Sequence, residues 1–256
     1  MTPDLDIARH FVQEVRPPPG RILLVGVTGA HLYGFPSPDS DIDLKGLHLA
    51  PTRDVLGLKS VPDTHDVTAM HESIEHDLTT HEVGWALRAL LKGNGNLLER
   101  IASPLQVFET EAVTELKELL PQLISRRVHA HYAGFFRQTC RFFDREPQAK
   151  TLLYSIRVAL TGLHVLQTGE VQPHLPTLAE HFGFPEVDAV IEAKRTGREK
   201  ALLSPEAAAP LRRRWPELEE ALKLAFAKTS LPDEAPGREA ADAWLVKVRR
   251  RDLEAT

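Results

Sequence analysis

Asp41 and Asp43 stand one residue apart in the run Ser40-Asp41-Ile42-Asp43-Leu44. In an extended strand the side chains alternate faces, so both carboxylates point one way while Ile42 and Leu44 point the other. Upstream, the aliphatic run Ile22 to Val27 ends at Thr28-Gly29-Ala30, and a loop of small, turn-forming residues leads on to Asp39. Two carboxylates on one face beside a glycine loop can hold a divalent cation against a phosphate. An isolated Asp-x-Asp is common on solvent-facing edge strands. The buried strand, the glycine turn and the alternating strand around this pair are what give it weight.

Elements must place these groups. Residues 4–15 read as an amphipathic helix with Leu5, Ala8, Phe11, Val12 and Val15 inward, stopped by Pro17-Pro18-Pro19-Gly20. Arg21 to Val27 reads as a strand covered on both faces. Gly29 to Asp39 reads as a loop and Ser40 to Ala50 as a second strand. A short helix is expected within 51–57, then a loop or weak edge strand over 58–71. A third strand is expected over 72–78, with Ile74, His76 and Leu78 on one face and Glu75 and Asp77 on the other. Thr79-x-x-Glu82 matches a capping box and predicts a helix through Leu91, ended by Lys92-Gly93-Asn94-Gly95-Asn96. From 111 onward the spacing predicts helices at 111–120, 122–144, 148–168, 176–183, 187–198, 205–229 and 237–253. Pro210 and Pro216 mark the sixth of these for a kink or a split. This shift to pure helix places a domain boundary between 108 and 109.

Composition narrows the classes. The chain has 256 residues, a formal charge of -5 and 42% hydrophobic residues, which suits a globular protein with a sizeable core. The slight acidity argues against a polybasic coat but not against a local basic cleft. Cys140 is the only cysteine, so a monomer has neither disulfides nor Cys-rich zinc sites, and it reads as a packing residue among Phe135, Phe136, Phe142 and Phe143. No apolar run approaches the ~20 residues of a membrane span, and Met1 to Ile7 is acidic without a signal-peptide core. No membrane partner is expected, and the expected location is cytoplasmic.

Gly29-Ala30 followed by Ser40-Asp41-Ile42-Asp43-Leu44 resembles the signature of the DNA polymerase beta nucleotidyltransferase superfamily. The resemblance implies an α/β (α+β) fold. Residues 1–108 would form a nucleotidyltransferase domain with a short mixed sheet and flanking helices, and residues 109–256 an all-helical domain. It implies two Mg²⁺ (or Mn²⁺) ions held by three carboxylates, and transfer of a nucleoside monophosphate from an NTP to a hydroxyl. Two metals about 3.5–4 Å apart clamp the attacking and leaving oxygens of an in-line displacement. Asp41 and Asp43 are two of the implied ligands. Asp77 is the favoured third, and Glu75 on the same face is its competitor. Thr28, Gly29, Ala30 and Ser40 would lie near the triphosphate. Ala30 stands where the superfamily has a hydroxyl that grips the β and γ phosphates, leaving Thr28, Ser40 or backbone N–H groups to replace it.

A narrower resemblance runs through Asp77-Leu78-Thr79-Thr80-His81-Glu82 and Leu90-Leu91-Lys92-Gly93-Asn94-Gly95-Asn96-Leu97-Leu98-Glu99. This pattern is similar to a subfamily of nucleotidyltransferases linked to RNA ligases and RNA repair, with Gly95 in place of its proline. Lys92 and Asn94 are then candidates for substrate contact, against simple helix capping. Lys150, Tyr154 and Arg157 share a helix face at i, i+4 and i+7, matching the subfamily's Lys…Arg helix. They are candidates to bind the triphosphate and stack a base. The resemblance covers residues 20–170. It implies an RNA end as acceptor, in a template-independent repair reaction, and a functional link to an RNA ligase. Two other readings stay open: nucleotidylation of a protein such as a paired toxin, or of a small molecule, and a non-catalytic nucleotide-binding or scaffold protein, motivated by Ala30. His65, His71, His76 and His81 read as surface or supporting groups. The runs Arg212-Arg213-Arg214 and Arg249-Arg250-Arg251 read as solvated helix and as the best sites for a weak RNA contact.

Overall fold

The computed structural model describes residues 5–38, 40–71, 74–196 and 202–255, with backbone only at Met70, His71 and 74–76. In chain order these form α1 (Leu5–Glu14), β1 (Arg21–Val27), α2 (Gly29–Tyr33), β2 (Ile42–Leu49), α3 (Thr52–Leu56), β3 (Thr64–His71), β4 (Ile74–Glu82), α4 (Val83–Leu91), α5 (Gly95–Ala102) and β5 (Gln106–Glu109). Helices then follow: α6 (Glu111–Leu119), α7 (Val128–Arg145), α8 (Ala149–Thr168), α9 (Leu175–Phe182), α10 (Glu186–Thr196), α11 (Pro205–Arg212), α12 (Trp215–Lys228) and α13 (Arg238–Glu254). The chain divides into two compact units. One contains residues 2–29, 41–125 and 234–256; the other contains 30–40 and 126–233. This division differs from the boundary expected after residue 108, because α6 and the C-terminal α13 belong with the sheet.

The sheet unit is a five-stranded mixed sheet in the order β3-β4-β2-β1-β5. β2 runs antiparallel to β1 and parallel to β4, which places Asp43 opposite Asp77 and Lys45 opposite Thr79. The period-2 pattern then decides the two faces. Ile42, Leu44 and Leu78 join Val25, Val27 and Val107 in a core closed by Ala8 and Phe11 of α1. Asp43, Lys45 and Asp77 consequently line the other face. The expected weak strand at 58–71 is the edge strand β3, and β5 and α5 are additional elements.

The expected capping box does not form. Thr79 to Glu82 continues β4, and Glu82 itself caps α4, its Oε2 accepting from Gly84 N at 2.7 Å and Trp85 N at 3.3 Å. A carboxylate at the cap position serves the first amides directly, so no Thr79 hydroxyl is needed. The other oxygen of Glu82 receives Arg249 Nη2 from α13 at 2.7 Å.

The helical unit is built around α8, buried on most of its circumference and packed by α7, α9, α10, α11 and α12. It ends at Gly169, whose φ of 77° is the left-handed cap favoured by glycine. The helix expected over 205–229 is split into α11 and α12, with Pro216 opening the second. Ser204 caps α11 by accepting from Ala207 N at 3.2 Å.

Candidate active site

Asp41 immediately precedes β2 and is exposed, and Asp43, one residue into the strand, is half-buried. Parallel register sets Asp43 beside Asp77 on one polar sheet face, while Asp41 lies one residue before the strand. Gly29 has a φ of 62°, and the Asp43 carboxylate fills the space that a Cβ there would need. Glycine is thus required twice over, by backbone conformation and by the approach of the aspartate. Thr28 ties the same turn to β2: its N donates to the Asp43 carbonyl at 2.8 Å and its hydroxyl reaches it at 3.4 Å.

Asp77 is not left uncompensated. Lys45 Nζ lies 3.2 Å from Asp77 Oδ2 and donates to Thr79 Oγ1 at 2.9 Å, while Thr68 Oγ1 donates to Asp77 Oδ1 at 3.3 Å. Lys45 was not singled out in the sequence, although the alternation Asp41, Asp43, Lys45 assigns it to the same face. Among the described residues no three His, Cys, Asp or Glu side chains converge closely enough to enclose a metal. The donor set nevertheless suits a hard divalent cation: carboxylate oxygens on a single polar face, one of them already holding an ammonium as its counter-charge. The Glu75 side chain, competitor of Asp77, lies outside the described residues.

Lys92 and Asn94 sit at the junction of α4 and α5. Lys92 is exposed at the C-cap of α4, and Asn94 caps α5, accepting from Leu97 N at 3.2 Å. Glu99 and Arg100 of α5 are buried, and Arg100 Nη1 donates to the Gly46 carbonyl of β2 at 3.0 Å. Two histidines belong to the same sheet, His48 on β2 and His81 on β4. His48 Nδ1 is 3.0 Å from Thr80 Oγ1, and His81 Nδ1 is 2.9 Å from Thr64 Oγ1. Burial holds each of them down to about 4, with the Arg100 guanidinium adding to the effect on His81.

The remaining candidates belong to the helical unit. Ala30 is buried there. Ser40 Oγ accepts from Ser37 N at 2.9 Å, and Lys194 Nζ donates to Ser37 Oγ at 2.9 Å and to Ser40 Oγ at 3.3 Å. Lys194 is 1% exposed. No local pattern announces it, because it meets the loop across more than a hundred and fifty residues of chain. On α8, Lys150 and Tyr154 are half-buried and Arg157 is buried. The Arg157 guanidinium lies 3.9 Å over the Tyr33 ring, and the Tyr154 ring meets Tyr33 and Phe35 edge-on, each at 5.4 Å. The Lys-Tyr-Arg stripe is thus a graded one, with its arginine sealed under an aromatic cluster.

No helix among the described residues is long and apolar enough to cross a membrane. An uncharacterized protein of Methanocaldococcus jannaschii is 27% identical over 151 residues, 58% of this chain and 61% of that relative, so the chain spans under two thirds of its length. The uncharacterized protein YcgL of Bacillus subtilis is 24% identical over 189 residues, 70% of this chain and 72% of its own. A crystal structure of a nucleotidyltransferase-like protein from Exiguobacterium sibiricum shares 14% identity over 96% of this chain and 78% of that one, with a TM-score of 0.33. The model of the RNA repair pathway DNA polymerase beta family matches residues 6–247, across the strands that carry the three aspartates and the helices beyond them. The chain therefore belongs to the RNA repair pathway DNA polymerase beta family.

Proposed function

We propose that the protein transfers a nucleoside monophosphate from an NTP to a hydroxyl at an RNA end, without a template. The observation that supports this best is the register of Asp43 against Asp77 on parallel strands, with Asp41 at the mouth of the same strand. Asp41, Asp43 and Asp77 are the residues that would hold Mg²⁺ or Mn²⁺. Such ions, when bound, supply charge neutralisation at the phosphates and acidify the attacking hydroxyl. Gly29 leaves room for the Asp43 carboxylate, and its backbone N–H would serve the triphosphate in place of the missing hydroxyl. Lys45 gives up Asp77 when the site is loaded. The acceptor oxygen forms a bond to the α-phosphorus, the bond to pyrophosphate breaks, and the hydroxyl proton passes towards Asp77.

The second reading, a nucleotide-binding protein without turnover, draws on Ala30 and on the Lys45–Asp77 ion pair. Incubation with α-labelled NTPs, Mg²⁺ and RNA separates the two. Label on RNA that disappears in Asp41→Asn is the expected result. Label on protein alone removes RNA as the acceptor. Tight NTP binding without pyrophosphate release, unchanged in Asp41→Asn, favours the binding protein.

A further inference from the structure

Four exposed arginines gather on one side of the helical unit, in a chain whose formal charge is -5. Arg137 and Arg141 lie one turn apart on α7, and Arg212 and Arg213 end α11. They line two hollows that share Arg212. The first, about 520 Å³, is walled by Phe143, Pro147, Leu203 and Pro205 with Arg212 and Arg213. The second, about 350 Å³, is lined by Arg137, Arg141, Arg212 and Trp215. Asp144 and Glu219 also line them and pair with Arg212 at 2.6 Å and Arg137 at 3.8 Å. Both ion pairs are roughly half exposed, so a ligand phosphate can replace the carboxylates at little cost. Among the described residues neither Arg141 nor Arg213 has an ion-pair partner.

Trp215 adds a stacking surface. Its Nε1 donates to Ser155 Oγ at 3.1 Å, and the Phe143 ring meets it edge-on at 5.7 Å, so the half-buried indole is held in one orientation. The Arg212 guanidinium stands 5.7 Å from that ring. Cys140 is beside it, its thiol pushed up to about 12 by burial and by the Asp144 and Glu219 carboxylates, and hence chemically quiet.

We propose that these two hollows form a groove for single-stranded RNA, in which the arginines hold successive phosphates and Trp215 stacks a base. An arginine-lined groove with a fixed aromatic is the physical requirement for sequence-tolerant single-strand binding. The choice of RNA over another polyanion rests on the acceptor reading above. The groove itself needs neither metal nor NTP.

The test is equilibrium binding of a labelled single-stranded RNA of about ten nucleotides to the full chain in EDTA, without NTP. Arg141→Glu with Arg213→Glu should weaken binding roughly tenfold or more and make the slope of log K against log salt shallower by about 1.4. The charge-matched pair Arg53→Glu with Lys59→Glu, exposed at and just beyond α3, should change affinity less than twofold. Equal losses in the two double variants would overturn the groove, as would wild-type protein that does not retain RNA at low salt. Binding of poly-glutamate as tight as RNA, with the same arginine dependence, overturns RNA in favour of an acidic protein partner. If RNA binds through the arginines but no label is ever transferred, the groove stands and the transfer reading falls.

Discussion

Two lysines contrast the two units. Lys45, on the polar sheet face, has a side chain 25% exposed and holds a carboxylate that is 40% exposed. Lys194, in the helical unit, is 1% exposed and holds two serine hydroxyls. The first is a partly exposed counter-charge, worth little to stability. The second is a sealed charge that donates to Ser37 and Ser40 and so ties their loop to α10. Catalytic groups are therefore to be sought where charge is left half-exposed, and fold-holding groups where it is sealed.

The sharpest break of this contrast is chemical. Asp43→Asn should lower NMP transfer by about 10³-fold, equivalent to about 4 kcal/mol, while the thermal midpoint stays nearly unchanged, since a half-exposed carboxylate carries little stability. A variant that unfolded as readily as it lost activity would place Asp43 with the structural charges. Next comes Lys194→Ala, expected to cost about 3 kcal/mol in urea unfolding, from the lost packing and the lost hydrogen bonds to a buried ammonium. Gly29→Ala follows at about 2 kcal/mol, because alanine is strained at a φ of 62° and its Cβ displaces the Asp43 carboxylate. Transfer should fall in that variant even at temperatures where it remains folded.

Acidity gives a smaller and graded effect. His48 and His81 titrate at about 4 in the folded chain and near the ordinary 6.5 when unfolded. Between those values the unfolded state binds more protons, so stability falls as pH drops from about 6.5 towards 4. The slope is at most about 1.4 kcal/mol per pH unit for each histidine. Urea midpoints of His48→Gln across this window should show a shallower dependence than wild type.

Legibility in the sequence follows the range of the interactions. β2 and β4 were readable because a period of two residues dictates a face, which paired Asp41 with Asp43 and Glu75 with Asp77, whereas the facing of Asp43 and Asp77 comes from the parallel register between strands. The α4 start was misread because two local signals competed: Thr79-x-x-Glu82 fits a capping box, but the β4 ladder continues to Glu82 and that carboxylate takes the cap alone. α5 was passed over although Asn94 and the Leu97, Leu98, Ile101 spacing carry its signature. Lys194 and the Arg157–Tyr33 stack had no local signal at all, since each depends on packing between segments distant in the chain.

The smallest effect is the most discriminating for the contrast. Lys45→Met removes the counter-charge from Asp77 while keeping the length of the side chain. The pair is partly exposed, so the stability change should stay within about 1 kcal/mol. Asp77 then faces Thr68 alone among the partners it holds here, and its carboxylate is left with excess negative charge. If Lys45 and a divalent cation compete for Asp77, removing the lysine should tighten Mg²⁺ binding severalfold in calorimetry, and the transfer reaction should saturate at lower Mg²⁺. A lysine whose role is to grip the donor phosphates would behave in the opposite way, with the KM for NTP rising and the Mg²⁺ dependence unmoved. The direction of the Mg²⁺ shift thus decides whether Lys45 is a resting counter-ion on the carboxylate face or a part of the nucleotide site.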